Sequence, residues 1–112
     1  MATSDQAGKP NLYESLSAQF PEFMEAVTTL GATVRKAGPL DEQTIHLVQL
    51  AAAAASRSEG AVHSHTRRAL GAGASPEAIR HTLIALTSTI GFPNVVAALS
   101  WAEDQLSSAA RG

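Results

Sequence analysis

The chain has 112 residues, a length suited to one domain. At 45% hydrophobic and 16% charged residues it is too apolar to be disordered, and a net charge of −2 gives no basic footprint for nucleic acid. It contains no cysteine, which excludes disulfides, thiolate nucleophiles and thiolate metal ligands.

Aromatic residues make up only 4%, so the core must be built from Ala, Leu, Val and Ile. Such helices approach closely but bury little area each, and small domains of this kind are often completed by partner subunits. Residues 1–10 read as a polar tail without an apolar signal core, ahead of a single domain over 11–112. The longest apolar run, Leu47 to Ala55, is too short to span a bilayer. The expectation is a soluble cytoplasmic protein with no membrane and no nucleic-acid partner.

Asn11 with Glu14 signals a first helix, carrying Leu12, Leu16 and Phe20 at helical spacing. Pro21 suits the first position of a second helix, whose stripe of Phe23, Val27, Leu30 and Val34 is expected to be buried. Gly38-Pro39 stops it. Asp41 caps a third helix, with Leu40 and Ile45 placed for a hydrophobic staple. From Leu47 to Ala55 that helix is apolar nearly all round and is expected to be central; His46 and Gln49 are its polar exceptions.

Ser56 and Glu59 have capping-box spacing, so a fourth helix is expected over about residues 57–71, closed by Gly71 or Gly73. Ser58, Ala61 and His65 share one of its faces. Ser75-Pro76-Glu77 restarts the chain, and Ile79, Leu83, Leu86 and Ile90 form the next stripe, ended by Gly91. Phe92 is expected to pack under this break. The last helix begins at Pro93 and buries Val95, Ala98, Leu99, Ala102 and Leu106, with fraying beyond 106. No alternating strand pattern occurs. The fold class is therefore all-α, with about six helices.

The order His46-Leu-Val-Gln-Leu-Ala, Ser58-x-x-Ala61-x-x-x-His65-x-x-x-Ala69-Leu70, Gly73-Ala-Ser75-x-Glu77-x-Ile79 and Gly91-Phe92-Pro93 resembles the carboxymuconolactone decarboxylase family, which includes the alkyl hydroperoxidase D-like proteins. The resemblance runs from about Leu40 to Leu106. It implies an alkyl hydroperoxidase D-like helical fold and a homo-oligomer, a trimer or a hexamer. The peroxidase branch carries C-x-x-C followed by a histidine. Here the cysteine positions are Ser58 and Ala61, the histidine is retained as His65, and the branch's upstream glutamate falls on His46. Without a thiolate there is no sulfenic acid to form or resolve, which disfavours an antioxidant hydroperoxidase. The lactone decarboxylases also lack the pair. They carry an acidic residue at the position of Ala61 and a glutamate at that of His46.

The decarboxylase resemblance implies a carboxy-lyase or proton-transfer enzyme on a small carboxylated lactone or keto acid. Such a reaction needs neither a metal nor an organic cofactor. His65 is the first candidate for proton transfer. His46 can donate, orient His65 or bind substrate. Ser58 can supply a hydrogen bond at a helix N-terminus. Arg67 or Arg68 can hold a carboxylate, including across a subunit boundary. Each has a plain alternative: packing for the histidines, capping for Ser58, and a solvated face for the arginines. His63, two residues from His65, is expected to face solvent, and His81 a surface or interface. The spacing His63-x-His65 is poor for two metal ligands on one helix, so no metal is expected. The alternative to an enzyme is a non-catalytic oligomeric or ligand-binding family member.

Overall fold

The structure, a computed structural model, describes residues 8–111. Its helices are α1 (Gly8–Gln19), α2 (Pro21–Arg35), α3 (Glu42–Ala55), α4 (Glu59–Gly71), α5 (Pro76–Ile84), the single turn α6 (Thr87–Ile90) and α7 (Phe92–Arg111). There is no strand among the described residues. No helix there is long and apolar enough to cross a membrane. The chain divides into two compact units, Met1–Pro39 and Leu40–Gly112.

In the first unit, α1 and α2 pack against each other. The first helix already runs from Gly8, so Asn11 lies inside it rather than at its start; residues 1–7 of the expected tail lie outside the described residues. Pro21 opens α2, where its missing N–H costs nothing. The expected burial of α2 is corrected here. Phe23, Val27, Leu30 and Val34 are all exposed, and no residue of α2 is buried. The physical reason is area, because two short helices cannot cover each other's apolar stripes.

The second unit is built around α3, which packs against α4, α5 and α7. Asp41 caps it, its side chain accepting from the Thr44 N–H at 2.8 Å. That bond holds the Asp41 carboxyl below its usual range. Leu50, Ala53 and Ala54 of α3 meet Val62 and Ala69 of α4, Ile79 and Leu83 of α5, and Ala98, Ala102 and Leu106 of α7 in one core. Five of these ten residues are alanines, so the helices come close and the core is small. α3 is not enclosed all round, since Val48 is exposed. Leu40, expected as half of a staple, is exposed as well.

Two turns of the same kind bracket α4. After α3, the Ser58 N–H donates to Ala53 O and the Arg57 N–H to Ala54 O, each at 3.1 Å. After α4, the Ala74 N–H donates to Ala69 O and the Gly73 N–H to Leu70 O. Both are Schellman closures, which need a left-handed residue. Gly73 supplies it in one, with φ 99°; Arg57 supplies it in the other, with φ 58° and its guanidinium on the Asn94 side chain. Ser56 therefore belongs to the end of α3, its hydroxyl donating to Ala52 O, and the expected Ser56–Glu59 capping box does not form. The cap of α4 is Ser58, whose Oγ accepts from the Ala61 N–H.

Ser75 caps α5 with Pro76 at its first position, as the sequence indicates. The expected single helix to Ile90 is interrupted. The Leu86 N–H reaches only to Leu83 O, and the Thr87 hydroxyl donates to Ile84 O, so the ladder tightens and restarts as α6. Gly91, at φ 93°, then turns the chain into α7. Val95, Ala98, Ala102 and Leu106 of α7 are buried, while Phe92 is 66% exposed rather than tucked under the break. α7 continues as helix to Arg111, past the expected fraying point. Arg80 of α5 donates to both carboxylate oxygens of Glu103 on α7, at 2.6 and 3.2 Å.

Candidate functional site

α3 and α4 run as a hairpin: Ser58 N–H reaches back to Ala53 O at the turn, and the Gln43 side-chain amide donates to Ala72 O at the open end. This antiparallel pairing brings His46, one turn into α3, opposite His65 at the middle of α4. Their ring centroids are 6.3 Å apart, tilted by 37°. His46 is 3% exposed and His65 half-buried. The Nε2 of His46 lies 3.6 Å from the exposed Glu42 carboxylate, which sits one turn earlier on α3.

The polar inventory around this helix pair is incompletely paired. Among the described residues, His46 Nδ1, Gln49 Oε1 and Thr66 Oγ1 are buried without a hydrogen-bond partner. Gln49 follows His46 by one turn on α3, and Thr66 follows His65 directly on α4. Buried polar atoms are nearly always bonded, so each of these three leaves a donor or acceptor open to a water or a bound molecule.

The structure thus joins the two histidines named from sequence. Ser58 occupies the N-cap, seven residues before His65, an axial separation of about 10 Å. Its hydroxyl is engaged with the Ala61 N–H at 3.3 Å. Arg67 and Arg68 are exposed. His81 is exposed on α5. The expectation that His63 faces solvent is corrected, because it is only 7% exposed and its Nε2 lies 3.0 Å from Asp104 Oδ2 of α7. The face of α4 opposite the His65 side is covered by α7, which the sequence spacing alone does not reveal. Thr66, fully buried, gave no signal in the sequence either, since a threonine in a mixed polar run carries no pattern.

The family model for the carboxymuconolactone decarboxylase family matches residues 21–104. The chain belongs to that family. Its fold is shared with a carboxymuconolactone decarboxylase family protein from Legionella pneumophila, crystallised in its apo form, with a TM-score of 0.77 over 88% of each chain and 23% sequence identity. No curated protein matches the sequence.

Proposed function

We propose that this protein is a carboxy-lyase or related proton-transfer enzyme acting on a small carboxylated lactone or keto acid. The observation that carries the reading is the pair of imidazoles, His46 and His65, presented to each other by two adjacent helices. Family membership supports the reaction class. With no cysteine in the chain, the thiol-based peroxide chemistry of the family's other branch has no nucleophile.

In the proposed reaction the bond between the substrate carbon and its carboxylate breaks, and carbon dioxide leaves. The electron pair left behind spreads over the conjugated carbonyl as a dienolate. His65, as imidazolium, gives its proton to that carbon and recovers one from solvent. His46 lies on the far side of the gap between the rings and orients the substrate or hands a proton to His65. Arg67 or Arg68 holds the substrate's remaining carboxylate from the exposed side of α4, across a subunit boundary. Ser58 acts as the cap of α4 rather than on the substrate. Nothing in this sequence of steps calls for a metal or an organic cofactor.

A homo-oligomer, trimeric or hexameric, is part of the same reading. Its support is the α2 stripe of Phe23, Val27, Leu30 and Val34, spaced four, three and four residues apart and left exposed together with Leu12, Tyr13 and Phe20. A stripe of that spacing is the seam helices use to pack on one another. Light scattering should give a multiple of 11.6 kDa, and a monomer would remove this part of the reading.

The test of the activity is carbon dioxide release from carboxylated lactones by the wild type, His65→Ala and His65→Gln, with oligomer size checked for each. Turnover lost in both variants without change of assembly supports the assignment. Turnover equal to wild type in either would take His65 out of the proton-transfer step.

A further inference from the structure

On the other side of α4 from His65, three metal-ligating side chains converge at the junction with α7. Glu59 and His63 are one turn apart on α4, and Asp104 comes from α7. We propose that Glu59, His63 and Asp104 form a binding site for one divalent first-row cation, of the zinc or manganese kind, bridging α4 to α7.

Geometry comes first. The same nitrogen, His63 Nε2, faces Asp104 Oδ2 at 3.0 Å and Glu59 Oε2 at 3.9 Å, and one ligand atom of each residue lies within 4.8 Å of the others. Bonds of about 2.0–2.2 Å from a zinc ion to nitrogen and oxygen set ligand-to-ligand edges of about 3.0–3.5 Å. One edge already has that length. The second needs a closure of a few tenths of an ångström, and the third, between the two carboxylates, lies within 4.8 Å; both close by movement of the exposed Glu59 and Asp104 side chains.

Charge comes second. Two carboxylates approach one ring nitrogen, and neither is paired with a Lys or Arg among the described residues. A single nitrogen carries one proton at most and can satisfy only one of them. A cation between the three atoms bonds all of them and offsets the repulsion of the two carboxylates. A plain ion pair leaves the more distant carboxylate without a donor.

Positioning comes third. His63 is fixed by burial, its side chain 8% exposed, whereas both carboxylates reach water. The site would therefore be preorganised on one ligand, with water filling the remaining coordination positions. One imidazole nitrogen and two carboxylate oxygens suit zinc or manganese and not the soft, thiolate-seeking ions. Its function would be to clamp the first turn of α4 to α7, the helix at its back, independently of the His46–His65 gap.

The test is titration of the chelator-stripped full chain with zinc chloride by calorimetry, together with thermal melts. The wild type should bind one zinc per chain, and saturating zinc should raise Tm by about 4 °C or more. Glu59→Gln and Asp104→Asn, both at exposed positions and checked for helicity, should each weaken binding by about tenfold or more, a loss that even changes behind the ligands produce. His81→Ala, on the exposed face of α5, should bind as the wild type does. Absence of saturable binding in the wild type would overturn the proposal. So would wild-type affinity in both carboxylate variants, or a loss confined to His81→Ala, which would mark adventitious surface binding.

Discussion

Thr66 offers a stability test whose sign separates an unpaired buried hydroxyl from a bonded one. It is fully buried in α4, and its hydroxyl has no hydrogen-bond partner among the described residues. Thr82 in α5 provides the contrast: its hydroxyl donates to Ala78 O at 2.8 Å. A buried hydroxyl without a partner costs about 1–3 kcal/mol relative to one left in water. Valine keeps the branching, the χ1 preference and nearly the helix propensity of threonine, so Thr66→Val changes little beyond replacing the hydroxyl by a methyl. The substitution should stabilise the protein by about 1–3 kcal/mol, or about 4–8 °C in Tm for each kcal/mol in a domain of this size. Thr82→Val deletes a formed bond and should destabilise by about 1 kcal/mol. Urea melts with unchanged slope measure both. A loss of 1 kcal/mol or more in Thr66→Val would refute the reasoning, because it would mean that the hydroxyl is bonded in solution, by a buried water or a bound molecule.

The two Schellman turns give a matched pair. Arg57→Gly relieves a left-handed non-glycine residue and should stabilise by up to about 1 kcal/mol, less whatever the Asn94 contact contributes; Gly73→Ala should destabilise by about 1 kcal/mol, since a Cβ there would also meet Gln43 Nε2 at 3.3 Å. Paired thermal melts decide it, and equal signs would sink the argument. Ser58→Ala should cost about 1 kcal/mol through loss of the α4 cap, with turnover falling no further than the folded fraction does. A selective loss of turnover in well-folded protein would restore Ser58 to the chemistry. The Arg80 guanidinium holds the Glu103 carboxyl below the ordinary glutamate range. A depressed folded pKa means that the pair's contribution is complete above the unfolded value, near 4 for glutamate, and is lost as pH falls through the folded one. Both side chains are about two-fifths exposed, so the effect is screened and small. Wild type and Glu103→Gln should therefore differ at pH 7 and converge as pH falls below the depressed folded value; a gap that does not narrow with falling pH would contradict the assignment.

Much of the fold is legible in the sequence, for local reasons. Asp41, Ser75-Pro76 and Pro21 act within one turn of themselves, and the structure puts a helix start at each. The stripe of α7 reads correctly because a core lies against it. The stripe of α2 is written in the same way but has nothing in its unit to cover it, and periodicity cannot say where a partner is. Ser56 and Glu59 match a capping box, yet the backbone spends Ser56 on closing α3, an outcome decided by Arg57 entering the left-handed region against its own preference.

The site is legible to the same extent. His46 and His65 are named by their place in the chain order, and their meeting follows once α3 and α4 form a hairpin. The burial of His63 has almost no local signal, because it depends on Asp104 and α7, 41 residues away in sequence. The one local sign was Glu59, a turn before it. The unpartnered Thr66 hydroxyl and Gln49 carbonyl belong to tertiary packing and carry no sequence pattern.

The central claim, that the facing histidines of α3 and α4 form the small-acid site, is tested most directly by a thermal-shift screen. It uses small di- and tricarboxylic acids and lactones on the wild type, His46→Gln and His65→Gln. A saturable rise in Tm is expected for at least one compound in the wild type, reduced or absent in both variants. A rise of equal size in all three proteins would place binding elsewhere and contradict it.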